Sequence, residues 1–524
     1  MVVAAKPDSN PAGALFNRRR AWIVCVLIAA VALIMTTYRL GHQICRGNEA
    51  LEAIFVRQMV EHGQFFALEN GQSPMYKPPL FHWSGYLIDK VIGAHQVTPF
   101  NFRLPSVLYG AATVALTMAF TYPILGPGGA IIAGLTLLGE HQFVRLARIG
   151  RVDMTLTFFE MLALFGFLWW IRTLPDRESA PASAPRLYLT TAALGLAVLA
   201  KGPIGALLPG LAMFLFSISE RRLLQVLRAL RPGPILLGAL IAAAWYLACL
   251  LGHQPAFLHR QFRENLGQFT GSTVGSSPFW FYLGPTLLSA MPFSLLAPFA
   301  VFAALFRNPR PEPGSAAARR LAEARDAVRL LAIFWLANLI FFSLAAYKSR
   351  WYMLPLWPPS AVLIAWGVAG CAARWNTRWL PTAFAGVCIA AMAFNLILIP
   401  REERHDCLHY SYRPVAAAIL RTVKPSAPLY AAGFNDEDFA PLLFYLGRDA
   451  PFIGRDLKHA PEGFIIATGS LWHEQKVGLP GFAPVIEFSE GRRKPVLLWH
   501  GNLSAGVGAP ELRKGALTTL KGSE

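Results

Sequence analysis

The sequence predicts an all-α polytopic membrane protein with a small C-terminal α/β domain outside the bilayer. Three observations predict it. Hydrophobic residues make up 54% of the 524 positions and charged residues 15%, with a mean hydropathy of +0.41, too apolar for a soluble globule. Apolar runs close to the ~20 residues that cross a hydrocarbon core recur along the first 400 positions. Beyond residue 400 the chain is less apolar and alternates short strand-like and helix-like runs.

Eleven runs qualify as spans: 21–38, 104–124, 127–142, 153–172, 187–201, 203–219, 233–252, 281–306, 329–346, 352–371 and 380–400. Short or broken helices bring the expected total to about 11–13. The run at 21–38 is long and lacks a small-residue cleavage site after it, so it is read as a span and not as a cleaved leader. Orientation follows from basic residues, which favour the cytoplasmic side. Arg18, Arg19 and Arg20 precede the first span. Alternation from there puts four basic loops, 172–186, 220–232, 307–328 and 372–379, on the same side. The large loop 39–103, the loops 143–152, 253–280 and 347–351, and the tail after 400 then lie outside.

This organisation gives two regions. Residues 1–400 form the membrane domain with outer loop 39–103. Residues 401–524 form the small outer domain, with strands at Leu429–Ala432, Phe464–Ala467 and Pro495–Trp499 and helices at Val415–Val423 and Phe439–Leu446. The stretch 307–328 reads as a Pro/Ala/Arg-rich connector, and 503–524 as a frayed end. Within the outer loop, the spacing over 48–62 predicts a helix lying along the membrane surface. Pro78-Pro79 fixes an extended turn that presents Lys77.

The net charge of +18 is largely the positive-inside bias, so no nucleic-acid partner is expected. Basic outer loops suit membrane lipid headgroups and phosphates. The six cysteines show no metal spacing. Cys45 and Cys407 alone fall outside the spans, and a disulfide between them is left open.

Ionisable groups at the ends of spans carry the chemical signal, since charge beside a bilayer is costly unless a ligand or reaction needs it. Glu49, Lys77, Arg145, Arg148, Arg151, Asp153, Lys201, Lys348 and Arg350 come from separate segments that one bundle would bring to one outer cavity. Clustered cations suit a phosphate. A carboxylate among them would orient or deprotonate an attacking group. Each also has a plainer reading: Asp153 as a helix cap, Lys201 as a snorkelling anchor, the arginines at 145, 148 and 151 as a solvated face.

Several motifs resemble the aminoarabinose (lipid A) transferase branch of the protein mannosyltransferase-like superfamily. They are Asn48-Glu49, Asn70-Gly71, Tyr76-Lys77-Pro78-Pro79-Leu80, Arg103-Leu104-Pro105-Ser106, Arg148 through Asp153, Leu199-Ala200-Lys201-Gly202-Pro203, Pro278-Phe279-Trp280 and Lys348-Ser349-Arg350-Trp351-Tyr352. The resemblance runs in order over roughly 20–360. It implies a GT-C-type glycosyltransferase in the inner membrane with its site facing the periplasm. Such an enzyme passes a sugar from a polyprenyl-phosphate carrier, with inversion, to a lipid, glycan or protein acceptor. It further implies Glu49 and Asp153 as catalytic carboxylates, and Asn48, Lys77, Arg148, Arg151, Lys201, Lys348, Arg350 and Tyr352 as substrate-binding residues.

The chain departs from the family at informative places. Asn48 stands where an aspartate is usual, and asparagine cannot act as a base. Tyr76 and the Ser276/Ser277 region stand where metal-holding members have Glu and His, so neither metal nor cofactor is expected. Gln268 replaces a usual arginine. Two alternatives therefore stay open: a non-catalytic binder of lipid-linked sugar, suggested by Asn48, and a transporter of such a lipid.

Overall fold

The computed structural model describes residues 11–66, 68–174, 184–272, 276–284, 291, 293–307, 316–409, 412–476, 479, 481–488 and 493–501, with residues 11–22 described in backbone only. The expected frayed end at 503–524, residues 308–315 of the connector, and positions 285–290 and 292 of the 281–306 span lie outside the described residues.

The chain folds as two compact units. The first comprises residues 1–40, 76–84 and 103–399; the second comprises 41–75, 85–102 and 400–524. Most of the outer loop thus clusters with the tail, whereas the sequence reading placed 39–103 with the membrane domain.

The first unit is helical. By length and composition, six helices among the described residues can cross a membrane: Pro99–Gly139, Val152–Ile171, Pro232–Leu251, Leu321–Leu344, Arg350–Arg374 and Leu380–Cys407. Ile23–Thr37, Ile204–Ser219 and Phe293–Phe306 are shorter apolar helices. The expected pair at 104–124 and 127–142 is present within Pro99–Gly139 as two helices that meet at a kink at Gly126, where φ is 72° and ψ is −172°. Leu236, Leu240, Leu247 and Leu251 along Pro232–Leu251 are exposed, as a helix facing lipid requires. Val152–Ile171, by contrast, is buried along most of its length.

Three helices here are labelled by chain order: α1 is Pro11–Thr37, α6 is Val152–Ile171 and α7 is Ala184–Lys201. Small residues hold α7 against its neighbours, because in lipid close backbone approach replaces the hydrophobic effect as the main packing force. A Cβ on Gly195 would lie 2.6 Å from the Gly238 carbonyl oxygen, and one on Gly238 would lie 2.6 Å from that of Thr191. On α6, a Cβ on Gly166 would lie 2.9 Å from the Thr190 hydroxyl. The C-terminus of α7 is fixed by these contacts.

Two buried arginines finish α1. Arg148 Nη1 donates to the carbonyl oxygens of Met35, Thr36 and Tyr38 at 3.1, 3.2 and 2.6 Å. Arg103 Nη1 donates to that of Leu40 at 2.7 Å. A helix end leaves four carbonyls without partners, and a guanidinium can satisfy several of them. At the far end of α6 three segments assigned to the cytoplasm meet. Glu220 is held by Arg325 at 2.7 Å and Arg329 at 3.1 Å, Arg222 lies 3.6 Å from Asp326, and Arg172 lies 3.8 Å from Glu323.

The second unit contains a four-stranded sheet of β3 (Leu429–Ala432), β4 (Gly463–Thr468), β5 (Phe482–Glu487) and β6 (Pro495–His500), in the order β3-β4-β6-β5. β3 and β4 pair parallel and the other pairs are antiparallel. Three strands and both helices of the sequence reading are present, the helices as Arg413–Thr422 and Asp436–Leu446. β5 is the addition. Pro484 cannot donate to a ladder, which masks the strand in sequence, and the register shifts between Pro484 and Ile486 at this sheet edge.

The helix expected on the membrane surface, here Gly47–His62, is buried on every face from Glu49 to Met59. It packs on Asp436–Leu446, and Arg57 Nη1 donates to the Phe444 carbonyl at 2.6 Å. The surface-helix expectation is corrected: its apolar positions meet protein, and Arg57 and Gln58 find hydrogen-bond partners within the unit. The turn Asn70-Gly71, with φ of 52° and 68°, joins two-residue strands β1 (Leu68–Glu69) and β2 (Ser73–Pro74). Amide side chains dock this hairpin. Asn70 exchanges two hydrogen bonds of 2.6 Å with the Ala450 backbone, and Gln58 accepts from Leu68 N–H at 2.9 Å. Cys45 and Cys407 are joined by a disulfide.

Candidate active site

Asp153 organises the site. The sequence reading considered it as a helix cap; instead it lies one position inside α6, in the first turn, and is buried. Its Oδ1 accepts from Lys201 Nζ at 2.5 Å and its Oδ2 accepts from Arg151 Nε at 2.9 Å. One carboxylate thus joins the residue that precedes α6 to the last residue of α7. Lys201 ends α7 because of its two successors in the chain. Gly202 takes φ of +88°, and Pro203 prevents α7 from continuing. A Cβ at 202 would lie 2.9 Å from Gln261 Nε2, so glycine serves both backbone and packing.

Aromatic rings surround these charges. Lys201 Nζ lies 4.4 Å from the Tyr352 ring centre, and the Arg151 guanidinium 5.2 Å from that of Trp351. Both are cation–π distances. Tyr352 stacks on Phe342 at 4.9 Å and donates from its hydroxyl to Gln268 Oε1 at 2.9 Å. Gln268 thus fixes the Tyr352 hydroxyl with a neutral amide. Lys77, at the bend before Pro78-Pro79, is close enough to interact electrostatically with Asp153 and Lys201. Lys77 and Arg260 both lie against the Tyr76 ring, at 5.0 and 5.2 Å.

Asp153, Lys201, Trp351 and Tyr352 line a narrow cavity. Leu156, Ile204, Leu208, Phe342 and Pro355 supply apolar walls, and Glu160 and Asn338 complete the lining. A mostly apolar pocket with a few convergent polar groups is the usual form of a small-molecule site. Its cations could balance a phosphate.

The structure thus brings together Asp153, Arg151, Lys201, Tyr352 and Lys77 among the residues named from sequence. Others sit elsewhere. Arg148 caps α1. Lys348 Nζ donates to the carbonyls of Ala345 and Ser277 at 2.6 and 2.9 Å, closing the end of the Ala316–Leu344 helix. Arg350 is exposed and does not line the cavity. Asn48 and Glu49 belong to the second unit, in the first turn of Gly47–His62, with Asn48 half-buried and Glu49 buried. Sequence reasoning missed Glu160, Asn338 and Arg260. Glu160 carried a usable signal, being an ionisable residue in the middle of a long apolar run. Among the described residues no three His, Cys, Asp or Glu side chains gather as a metal site would need.

Helices of membrane-crossing length, a small outer sheet and a charged cavity at a helix end define a multi-pass membrane protein of GT-C architecture. Residues 75–253 match the family described as dolichyl-phosphate-mannose-protein mannosyltransferase. The crystal structure of ArnT from Cupriavidus metallidurans bound to undecaprenyl phosphate superposes with a TM-score of 0.72 at 20% identity, covering 94% of this chain and 99% of that one. The archaeal oligosaccharyltransferase AglB from Archaeoglobus fulgidus, in complex with an inhibitory peptide and a dolichol-phosphate, superposes with a TM-score of 0.55 at 13% identity, covering 83% and 64%. The undecaprenyl phosphate-alpha-4-amino-4-deoxy-L-arabinose arabinosyl transferase of Pectobacterium carotovorum is 23% identical over 72% of this chain and 65% of its own length. The chain spans just under two thirds of the first curated relatives it matches, at 63%, 65% and 65%. Over residues 75–253 the chain is similar to that mannosyltransferase family, and over nearly its whole length it shares the ArnT fold.

Proposed function

We propose that this protein transfers a sugar from a polyprenyl-phosphate carrier to a lipid, glycan or protein acceptor on the periplasmic side of the inner membrane. The observation that carries the reading is the buried Asp153 carboxylate shared by Lys201 and Arg151 at the mouth of an aromatic-walled cavity. The relatives named above bind or use polyprenyl-phosphate lipids, which supports the same donor here. The Cys45–Cys407 disulfide supports the outward assignment of the second unit, because structural disulfides persist in oxidising compartments.

In the proposed reaction the acceptor oxygen attacks the anomeric carbon as the carbon–oxygen bond to the carrier phosphate breaks. The electron pair leaves with the phosphate, the acceptor's proton passes to a carboxylate, and the anomeric configuration inverts. Lys201, Arg151 and Lys77 balance the charge that develops on the leaving phosphate. Both oxygens of Asp153 are engaged by cations, which makes it a positioning group and a poor base. Glu49, with Asn48 beside it, is proposed to activate and orient the acceptor. A lipid A phosphate is the acceptor suggested by the arabinosyl transferase relatives.

The test compares lipid and glycan masses of membranes from cells with the gene, without it, and with Lys201→Ala or Glu49→Ala. A sugar-sized mass lost in the deletion and in both variants establishes transfer and names the acceptor. Asn48 favours a second reading, a binder that does not catalyse. A near-silent wild type that gains transfer on Asn48→Asp would favour that reading.

A further inference from the structure

Two helical turns along α6 from Asp153, the cavity is lined by groups that the charge cluster does not use. Glu160 is fully buried and lines the cavity, yet neither carboxylate oxygen has a hydrogen-bond partner. Asn338, on the Ala316–Leu344 helix, is also fully buried and lines the same cavity. Its Nδ2 donates to the Phe334 carbonyl at 2.9 Å, and its Oδ1 has no partner. Three buried polar atoms are therefore unsatisfied at one place. Buried polar groups in folded proteins are nearly always paired.

The placement is ordered. Glu160 follows Asp153 by seven residues, so it lies on the same face of α6, about 10 Å further along. Leu156 lies between them on the cavity wall, with Phe342 and Tyr352 also lining it. The Asp153 end carries the cations, the walls are apolar and aromatic, and the Glu160 end offers acceptors. A ligand that completes this cavity has an anion at one end and hydrogen-bond donors at the other.

We propose that Glu160 and Asn338 form the sugar-reading end of the donor site, accepting hydrogen bonds from hydroxyl or ammonium substituents of the ring carried on the polyprenyl phosphate. This rests on the glycosyl-transfer reading and deepens it by assigning what selects the sugar. The chemistry excludes as well as admits. Acceptor oxygens favour ring substituents that carry O–H or N–H, and a uronic acid replaces one such donor with further acceptors. The phosphate is held separately by the cations, so sugar recognition and carrier recognition are divided along α6.

The experiment measures binding to the full-length protein in detergent. The probes are undecaprenyl phosphate alone and undecaprenyl phosphate bearing a neutral hexose, an amino pentose or a uronic acid. The wild type is expected to bind the hexose or amino-pentose carrier at least tenfold more tightly than the bare carrier, and the uronic acid no better than the bare carrier. Glu160→Gln, which keeps the shape but replaces an acceptor oxygen with an N–H donor, is expected to lose about tenfold or more of that preference. Its affinity for bare undecaprenyl phosphate should stay within twofold, whereas Lys201→Ala should weaken every carrier. Asn338→Leu removes the second acceptor and should lose part of the preference, and an affinity for the bare carrier within twofold of wild type separates loss of recognition from loss of fold. Equal binding of bare and sugar-bearing carriers by the wild type overturns the subsite, as does an equal loss for all carriers in Glu160→Gln. Sugar-selective binding without any transferred product leaves the subsite standing and overturns the transfer reading.

Discussion

Asp153 is the residue on which the site turns, and its partners determine what its loss does. Asp153→Asn leaves Lys201 and Arg151 as neighbouring like charges in a largely buried place, where removing one partner of an ion pair typically costs about 3–5 kcal/mol. The variant is expected to melt several degrees lower in detergent and to lose transfer; an unchanged melting temperature would show that the pair is not load-sharing in the fold. A second carboxylate, Asp89, behaves differently. It is fully buried in the second unit and both its oxygens lack partners. Burial, then the nearby negative charge of Glu61, pushes its pKa from 3.8 up to about 6. A carboxyl with a raised folded-state pKa favours the fold while protonated, so its contribution is intact below the ordinary value and is lost as pH rises through about 6. Asp89→Asn should therefore raise stability at pH 8, by on the order of 1–3 kcal/mol, and flatten the pH–stability curve between 4 and 6. The sequence displayed Asp153 and Lys201 as separate end-of-helix charges. Their pairing was not legible, because 48 residues separate them and nothing local links the two. Glu160 was visible as an anomaly in an apolar run, but its neighbour Asn338 comes from a helix far along the chain.

At the scale of elements, α7 holds its position through small residues and so tolerates little added volume. Gly238→Leu would drive a side chain into the Thr191 carbonyl and push α7 from its neighbour. Overpacking of this kind costs about 1–3 kcal/mol. The expected outcome is reduced thermal stability, together with a fall in transfer larger than the loss of folded protein explains, since Lys201 rides on the end of α7. Comparable transfer per folded molecule would show that the lysine's position does not depend on this packing. Strands and helices of the tail were legible where β-branched and aromatic runs met turn residues. β5 was not, because Pro484 interrupts the pattern at an edge where a bulge accommodates it. Gly47–His62 was legible as a helix. Its surroundings were not, since helical spacing shows which residues share a face and says nothing about whether lipid or protein meets it.

At the scale of the whole molecule, eleven apolar runs were read from sequence, and six helices among the described residues meet the length and composition of a span. The difference has physical causes: Pro99–Gly139 holds two of the runs joined at the Gly126 kink, Ile23–Thr37 and Ile204–Ser219 are short, and part of the 281–306 run lies outside the described residues. The disulfide gives the prediction at this scale. Cys45→Ser should lower the melting temperature of the purified protein, a native crosslink being worth about 2–4 kcal/mol. Reductant should reproduce that shift in the wild type and leave the variant unmoved.

The same crosslink bears on how the protein is made. Cys45 leaves the ribosome 362 residues before Cys407, and nearly every hydrophobic helix is synthesised between them. The early thiol must therefore wait, reduced, while the bulk of the polypeptide threads into the bilayer. The covalent ring can close only after the last helix is in place. In the oxidised protein, any single cut between the two cysteines leaves both fragments joined, so a protease-nicked sample should run as one band until a thiol is added and as two thereafter. Bond formation at this one pair would therefore mark completed insertion, and its kinetics in a pulse–chase would time the end of biogenesis.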